Sequence, residues 1–146
     1  YCDPDSAQAV FHSATTKTLV PLDVTQQVIM TYDQMDEVQD RTTPCGQLLR
    51  KLLPYVFRSH HMTLGLEGIY LHDSVALVAA QHPELFKTEA MSGDVETAGE
   101  LTLGATVFDR RGHPQWRPNM DVATEVDVTA VVDCILRGLA KTVKQS

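Results

Sequence analysis

The sequence predicts an α/β protein, and two observations carry the prediction. Apolar, β-rich runs alternate with helical patterns in the first half of the chain, which is typical of a sheet flanked by helices. The second half has several short β-like runs between residues 91 and 123 and ends on one more helical pattern. Because no repeat, low-complexity tract or Pro/Gly/Ser-rich linker divides the 146 residues, we expect positions 1–146 to form a single domain or a fragment of one.

The first elements have clear boundary signals. Asp3 is a candidate N-cap, and the proline after it fits the first position of a helix. Residues 18–24 form an apolar run that predicts a buried strand of a parallel sheet, although Pro21 removes one backbone donor from it. Thr25 lies where this strand is expected to give way to a helix over about residues 26–32.

A second helix has an equally clear start. Thr43 is its N-cap candidate, and apolar residues recur at helical spacing from 48 to 57. Pro54 is expected to kink or end this helix. The polar residues after it include the pair His60 and His61. Neighbouring side chains point apart on a helix and on a strand, so this pair suits the lining of a pocket better than a shared metal ion.

The most informative stretch is the junction at His72 and Asp73. A short apolar run that includes Tyr70 ends at these two ionisable residues, and a helical pattern follows over residues 74–81. Ligands bind at the carboxyl ends of strands in open α/β sheets. A carboxylate in that place either caps the new helix or holds a cation. The simpler interpretation is that Asp73 is an N-cap and His72 an ordinary loop histidine.

The rest of the chain predicts a β-rich section and a closing helix. Residues 82–86 read as a turn, and β-like runs follow up to about residue 123, with a turn at residues 109–113. Asp127 is expected to cap the last helix, which has a regular apolar stripe and lysines in its last turn.

Composition excludes several classes of partner. The net charge is −7 and the 12 basic residues are scattered, which disfavours nucleic acid as a partner. No apolar run approaches the roughly 18 residues of a membrane span. The cysteines, Cys2, Cys45 and Cys134, are odd in number and far apart, as expected for reduced thiols in a cytoplasmic protein.

Several segments become recognisable when they are read together. They are YCDPDSAQAVF, PLDVTQQ, LHDSVALVAAQHPELF, DVETAGELTLGATVFD and PNMDVATEVDV. In this order and spacing they resemble the calcium-dependent, inosine-uridine preferring nucleoside hydrolases. The resemblance implies an open, mostly parallel sheet flanked by helices, with a peripheral β-rich section. Members of the family are roughly twice as long and carry a DxDxxxDD metal signature in their N-terminal half. This sequence lacks that signature, so it resembles the C-terminal half alone.

The resemblance also implies a reaction and roles for individual residues. The reaction is hydrolysis of the N-glycosidic bond of a nucleoside substrate, which gives ribose and a free base. Asp73 matches a Ca²⁺ ligand of the family, and His72 matches the histidine that assists departure of the base. His60, His61 and Tyr70 are candidates for contacts with the base, because residues 56–68 match a helix and loop that close over it.

The chain departs from the family pattern in ways that limit the expected activity. Ser74 stands where proline is usual, and Leu103 and Ala105 replace the usual Arg and Met, which concerns capping and packing more than chemistry. More important, Asp73 is a single carboxylate, whereas Ca²⁺ takes about six to eight oxygen ligands. We therefore expect this chain alone to bind no calcium tightly and to hydrolyse nothing. Its partner would be a missing N-terminal half or a second copy in a homo-oligomer.

Two alternatives remain open from the sequence. One is a truncated, non-catalytic homologue that serves binding or assembly. The other is a metal-dependent phosphohydrolase of the HD type, which also uses a His-Asp doublet but on an all-helical scaffold. The β-rich section at residues 91–123 disfavours the second alternative.

Overall fold

The computed structural model describes residues 1–37 and 42–145, and it confirms the α/β class. The helices are α1 Pro4–His12, α2 Leu22–Thr25, α3 Tyr32–Glu37, α4 Pro44–Leu64, α5 His72–Gln81 and α6 Val128–Gln145. The strands are β1 Thr18–Leu19, β2 Ile29–Met30, β3 Ile69–Tyr70, β4 Phe86–Met91, β5 Gly93–Val95, β6 Thr106–Phe108 and β7 Met120–Val126. A single 3₁₀ turn, Pro83–Leu85, precedes β4.

The strands pair in both directions. β1, β7 and β4 form a three-stranded sheet in that order, and β1 runs parallel to β7, with Thr18 opposite Asp121. β2 pairs with β3, and β5 pairs with β6, each as a two-stranded antiparallel ladder. The described strands therefore make mixed sheets.

The chain divides into two compact units. Unit 1 comprises residues 1–19 and 87–124, and unit 2 comprises residues 20–86 and 125–146. The core of unit 1 is formed by one aromatic and several aliphatic side chains. They are Phe11, Met91, Val95, Met120 and Val122, with Ala7, Leu19 and Phe108 packed against them. At the start of α1 the carboxylate of Asp3 accepts a hydrogen bond from the Ser6 amide (3.0 Å), which confirms the predicted N-cap.

Unit 2 has its own core, built mainly around α4. The buried side chains are Met30, Leu53, Phe57 and Ile69, and partly buried residues of α4, α6 and the β3–α5 junction pack on them. The Thr43 hydroxyl accepts from the Gly46 amide (3.2 Å), which confirms the predicted start of α4.

Of the two outcomes expected at Pro54, a kink or an end of α4, the end is wrong. The helix continues for ten more residues and ends at Gly65, whose φ of 67° is the left-handed conformation that glycine adopts readily. A proline in a helix interior removes one backbone hydrogen bond. Leu53 and Phe57, which flank it, are both buried, and we attribute the continuity of the helix to this packing on either side of the break. As a result the two adjacent histidines lie on a helix.

The region before α4 also differs from the prediction. The strand expected over residues 18–24 is limited to Thr18–Leu19, because Pro21 ends it and takes the N-cap position of the short helix α2. The helix expected over residues 26–32 is wrong, since β2 occupies Ile29–Met30. At the other end of the chain, Asp127 accepts from the Ala130 amide (3.0 Å) and caps α6 as predicted.

Within residues 1–37 and 42–145, no helix has the length and apolar character needed to cross a membrane. Cys2, Cys45 and Cys134 are free thiols, in agreement with the sequence-based expectation.

Candidate functional site

Three of the predicted site residues come together where β3 runs into α5. Tyr70 is the last residue of β3 and His72 the first of α5. Their rings stack, with centroids 5.3 Å apart and planes 30° apart. The His60 ring approaches Tyr70 edge-on from α4, with centroids 6.3 Å apart and planes 64° apart. We call His60, Tyr70 and His72 the ring cluster.

Both histidines of the ring cluster use one ring nitrogen and leave the other open. The Nδ1 atom of His60 lies 3.1 Å from the Val56 carbonyl oxygen, and that of His72 lies 2.7 Å from the Thr25 hydroxyl. In the part of the chain that the structure describes, neither Nε2 atom has a hydrogen-bond partner. Since no fully buried side-chain nitrogen or oxygen lacks a partner there, both Nε2 atoms are reachable by water or a ligand.

Thr25 was not predicted as a site residue. Its hydroxyl is the hydrogen-bond partner of His72 Nδ1. The side chain lies at the end of α2, and the residue is 3% exposed. The signal in the sequence was a threonine between two apolar neighbourhoods, directly after the expected strand. Thr25 and His72 are 47 positions apart in the sequence, and only the fold brings them together. A threonine in such a place is too common in sequences to be singled out without the structure.

His61 lies outside the ring cluster. Its Nδ1 atom is 3.2 Å from the Glu67 carboxylate, and both side chains are largely exposed. This separation from His60 follows from helix geometry, because adjacent residues point about 100° apart around the axis.

Asp73 is exposed in the first turn of α5 and does not cap the helix. The N-cap position belongs to Leu71, which makes no side-chain cap hydrogen bond, so the interpretation of Asp73 as an N-cap is wrong. Among residues 1–37 and 42–145 its carboxylate makes no hydrogen bond or ion pair. A negative charge in the first helical turn interacts favourably with the helix dipole, and the carboxylate oxygens stay available to a ligand.

The described residues do not form a complete metal site. Nowhere among them do three or more His, Cys, Asp or Glu side chains gather in a way that could hold a metal ion. One exposed carboxylate falls far short of the about six to eight oxygens that Ca²⁺ takes. The donor set among the described residues therefore does not by itself supply the ligands of a Ca²⁺ ion.

The ring cluster is suited to a flat aromatic ligand that accepts a proton. Aromatic rings stack on or pack edge-on against a planar base, and an open imidazole Nε2 gives or takes a proton near neutral pH. The HD-type alternative requires an all-helical scaffold, and the strands β4 to β7 contradict it.

Comparison with known proteins places the chain in a family. A sequence model described as "Inosine-uridine preferring nucleoside hydrolase" matches residues 1–133. The chain is 32% identical to a probable uridine nucleosidase 2 of Arabidopsis thaliana, over 96% of this chain and 45% of that protein. It is 34% identical to the non-specific ribonucleoside hydrolase RihC of Escherichia fergusonii, over 95% of this chain and 44% of that protein.

The fold agrees with the sequence relationship. The structure superposes on a purine-preferring ribonucleoside hydrolase from Gardnerella vaginalis with a TM-score of 0.88 and 28% identity. The match covers 98% of this chain and 45% of the other. The predicted relation to the fold of these enzymes is thereby confirmed, and the chain spans a little under half the length of the relatives it matches.

Proposed function

Because this chain belongs to the inosine-uridine preferring nucleoside hydrolase family, we propose that it supplies one wall of an active site that hydrolyses ribonucleosides to ribose and free base. The observation that carries the proposal is the ring cluster, with two open imidazole nitrogens beside a stacked tyrosine. Enzymes of this family are hydrolases, and the assignment of this chain to their base-binding side is our inference from that geometry.

In the proposed site, Tyr70 and His60 contact the nucleobase. A base has a π-face on either side, and stacking on aromatic side chains tolerates different bases. His60 is held by its Nδ1 contact to Val56, so its Nε2 edge faces away from the helix backbone. His61 is a weaker candidate for such contacts, because its ring is engaged with Glu67 outside the cluster.

His72 is the proposed proton donor to the departing base. Cleavage of a glycosidic bond passes through an oxocarbenium-like state, and the leaving group departs more readily if it is protonated as the bond breaks. The open Nε2 of His72, next to the stacked Tyr70 ring, offers such a proton close to where a base would lie.

The other half of the chemistry lies outside these residues. We propose that Asp73 provides one Ca²⁺ ligand and that a segment corresponding to the rest of the relatives' length provides the others, together with the base that activates water. The 45% coverage of the relatives supports this division. A role in cytoplasmic salvage of purine and pyrimidine nucleosides follows as part of the same proposal. The 146 residues alone would then bind Ca²⁺ weakly and release no ribose.

The test is an assay of ribose release from inosine and uridine in the presence of Ca²⁺. It compares the 146-residue chain with the longest protein encoded by the reading frame that contains it. We expect activity in a longer protein and none in the short chain. In the active protein, His72→Ala is expected to lower kcat by roughly 100-fold or more, in the range that general acid catalysis supplies.

A matched histidine serves as the control. His82 lies at the end of α5, pairs with Glu84 and has no contact with the ring cluster, so His82→Ala is expected to keep most of the activity. Two results would contradict the proposal: ribose release by the short chain, or a His72→Ala variant as active as the unaltered protein.

A further inference from the structure

Thr25 stands out as a buried hydroxyl that faces a site residue. In the residues that the structure describes, Thr25 and Asp109 are the buried residues with polar or charged side chains. Asp109 is engaged with the guanidinium of Arg111, whereas the Thr25 hydroxyl lies 2.7 Å from His72 Nδ1. A buried hydroxyl that contacts one edge of an imidazole controls what the opposite edge presents.

The backbone around Thr25 fixes where its hydroxyl points. Its amide donates to the Pro21 carbonyl (3.0 Å), and its carbonyl accepts from the Val28 amide (3.2 Å). Val24 and Val28 are almost fully buried on either side. A β-branched residue has a stiff χ1, so little freedom remains for the hydroxyl once the backbone is held.

The hydroxyl can serve His72 in both of its protonation states. It has one hydrogen to donate and two lone pairs that accept. Besides His72 Nδ1 it has a second acceptor within reach, the Leu22 carbonyl at 3.4 Å. It donates to Nδ1 when that nitrogen is bare, and it turns its hydrogen towards Leu22 and accepts when Nδ1 carries a proton. In either state Nδ1 is engaged and Nε2 is open.

We propose that Thr25 is a positioning residue that sets the orientation of the His72 ring, so that Nε2 is the nitrogen that meets the substrate. Two restraints act on the ring from different sides. Tyr70 covers its face, and Thr25 holds its Nδ1 edge. Stacking alone leaves the broad, two-fold χ2 torsion of histidine free to turn by 180°. Such a turn would move Nε2 to the place of Cε1 and take the proton away from the base.

This inference rests on the proposed function for its catalytic meaning. In that reaction the C–N bond breaks with its electron pair on the base nitrogen, and the proton on His72 Nε2 moves to that nitrogen. The sugar carbon gains a bond to the oxygen of a water molecule, whose proton goes to a base outside these residues. His72 is left neutral with its remaining proton on Nδ1, where the Thr25 oxygen accepts it. A threonine in this place therefore holds the ring before and after the transfer.

The first experiment reads the ring directly and needs no activity. The 146-residue chain with ¹⁵N-labelled histidine is studied by long-range ¹H–¹⁵N correlation at one fixed pH, the same for every variant. We expect the His72 Nδ1 resonance to move in Thr25→Val, which keeps the shape but lacks the hydroxyl, because Nδ1 then loses the hydrogen bond that it has in either tautomer. Thr25→Ser is expected to restore the original shifts.

Controls separate this effect from general damage. Thr63→Val removes the hydroxyl of an exposed threonine that bonds the Ser59 carbonyl on α4, and it is expected to leave His72 unchanged. If Thr25→Val fails to fold, Thr25→Ala gives the same comparison with a smaller side chain. Nitrogen shifts of His72 that stay the same in a folded variant without the hydroxyl would overturn the inference.

The second experiment applies to a longer protein that releases ribose. Thr25→Val is expected to lower kcat by roughly 10- to 100-fold, as for other groups that orient a reacting residue, with KM for inosine nearly unchanged and with rescue by Thr25→Ser. A change in KM alone, or no rescue by serine, would overturn the positioning role. If no longer protein releases ribose while the His72 Nδ1 shift depends on the Thr25 hydroxyl, the proposed function fails and the control of the ring by Thr25 stands.

Discussion

The polar side chains of unit 1 and the ring cluster of unit 2 differ in how many of their hydrogen-bonding atoms have partners within the protein. In unit 1 the side chains of Asn119 and Asp109 are engaged from several directions at once. In unit 2 the imidazoles of His60 and His72 each use one nitrogen and leave the other open. Polar side chains occur in both regions, and the regions differ in whether donor and acceptor atoms remain without a protein partner.

Asn119 ties three segments of unit 1 together. Its side-chain oxygen accepts from the Gly93 amide (2.9 Å), and its side-chain nitrogen donates to the carbonyls of Gly93 (2.9 Å) and Phe11 (3.1 Å). Gly93 suits this contact because a Cβ there would come within 2.6 Å of the Phe108 ring. The asparagine thus joins the end of α1, the start of β5 and the approach to β7.

Asp109 is engaged just as fully. Its side chain is 1% exposed, and its carboxylate accepts from Arg111 Nε (2.7 Å) and Nη2 (2.6 Å) and from the amides of Arg111 and Gln115. The guanidinium in turn lies 5.7 Å from the centroid of the Trp116 ring. These contacts order the turn after β6. A polar group without spare lone pairs or protons stabilises a fold and has nothing to offer a ligand.

The comparison shows where to look for chemistry in this molecule. The most hydrogen-bonded polar residues are structural, and the functional candidates are those that are fixed on one side and open on the other.

Phe57→Ala should have the largest effect, because it empties the core that supports the ring cluster. Phe57 is 0% exposed, and its ring centroid lies 4.3 Å from that of Tyr32. Loss of a buried aromatic side chain costs about 3–5 kcal/mol in the free energy of unfolding. Urea unfolding measures it. Tyr55→Ala on the same helix is the control, since Tyr55 is 73% exposed, and equal losses for the two would contradict this picture of α4.

Asn119→Ala should be the next most costly change. It removes three hydrogen bonds and leaves the Gly93 amide and two carbonyls to find new partners, so we expect a loss of about 2–3 kcal/mol in the free energy of unfolding. Gln115→Ala is the control, because Gln115 contributes its backbone amide to Asp109 and keeps it in the variant. A loss below about 0.5 kcal/mol for Asn119→Ala would show that this network is not structural.

Asp109→Asn should change how stability depends on pH. The Arg111 guanidinium, followed by the amides of Gln115 and Arg111, holds the pKa of Asp109 well below its ordinary value of 3.8. The folded carboxylate thus binds a proton less readily than the unfolded one. Its contribution is fully present above that ordinary value and is lost as the pH falls through it towards the lowered pKa.

The measurement for Asp109 is urea unfolding at several pH values from neutral to strongly acidic. We expect the stability gap between the unaltered chain and Asp109→Asn to be widest near neutrality and to close in acid. Asp121→Asn removes an exposed carboxylate of the same unit and should leave the pH profile almost unchanged. A gap that is constant with pH would mean that the Asp109 charge contributes nothing to folding.

The sequence predicted most local features correctly, although the interpretation of Asp73 as an N-cap was wrong. The caps at Asp3, Thr43 and Asp127 were all predicted, because each is set by side-chain and backbone atoms three residues apart. Predictions failed where distant packing overrides local preference. Pro54 did not end α4, since Leu53 and Phe57 are buried on both sides of it. Pro21 is a different case, because its local effect on the backbone shortened a strand that looked mostly apolar.

The residues of the candidate site were predicted mainly from the resemblance to the family and less from the chemistry of the residues themselves. The His72–Asp73 junction was visible as the place where an apolar run meets two ionisable residues. The contact between Thr25 and His72 was not, because it joins residues 47 positions apart and depends on the placement of α2 beside α5. The role of the Thr25 hydroxyl depends on its contact with His72 Nδ1, and only the folded structure shows that contact.

Asp73→Asn should have the smallest effect on stability. A small effect distinguishes a carboxylate that is available to a ligand from one with a structural role. The carboxylate interacts with the N-terminal end of α5 and with no other described side chain, so we expect a loss of about 0.3–1 kcal/mol. The loss should shrink at 1 M salt, which screens the charge–dipole interaction. Asp5→Asn, in the first turn of α1 in the other unit, is the matched change and should behave alike. A much larger, salt-independent loss at Asp73 would assign it a structural role like that of Asp109. A small loss leaves its oxygens free for a ligand.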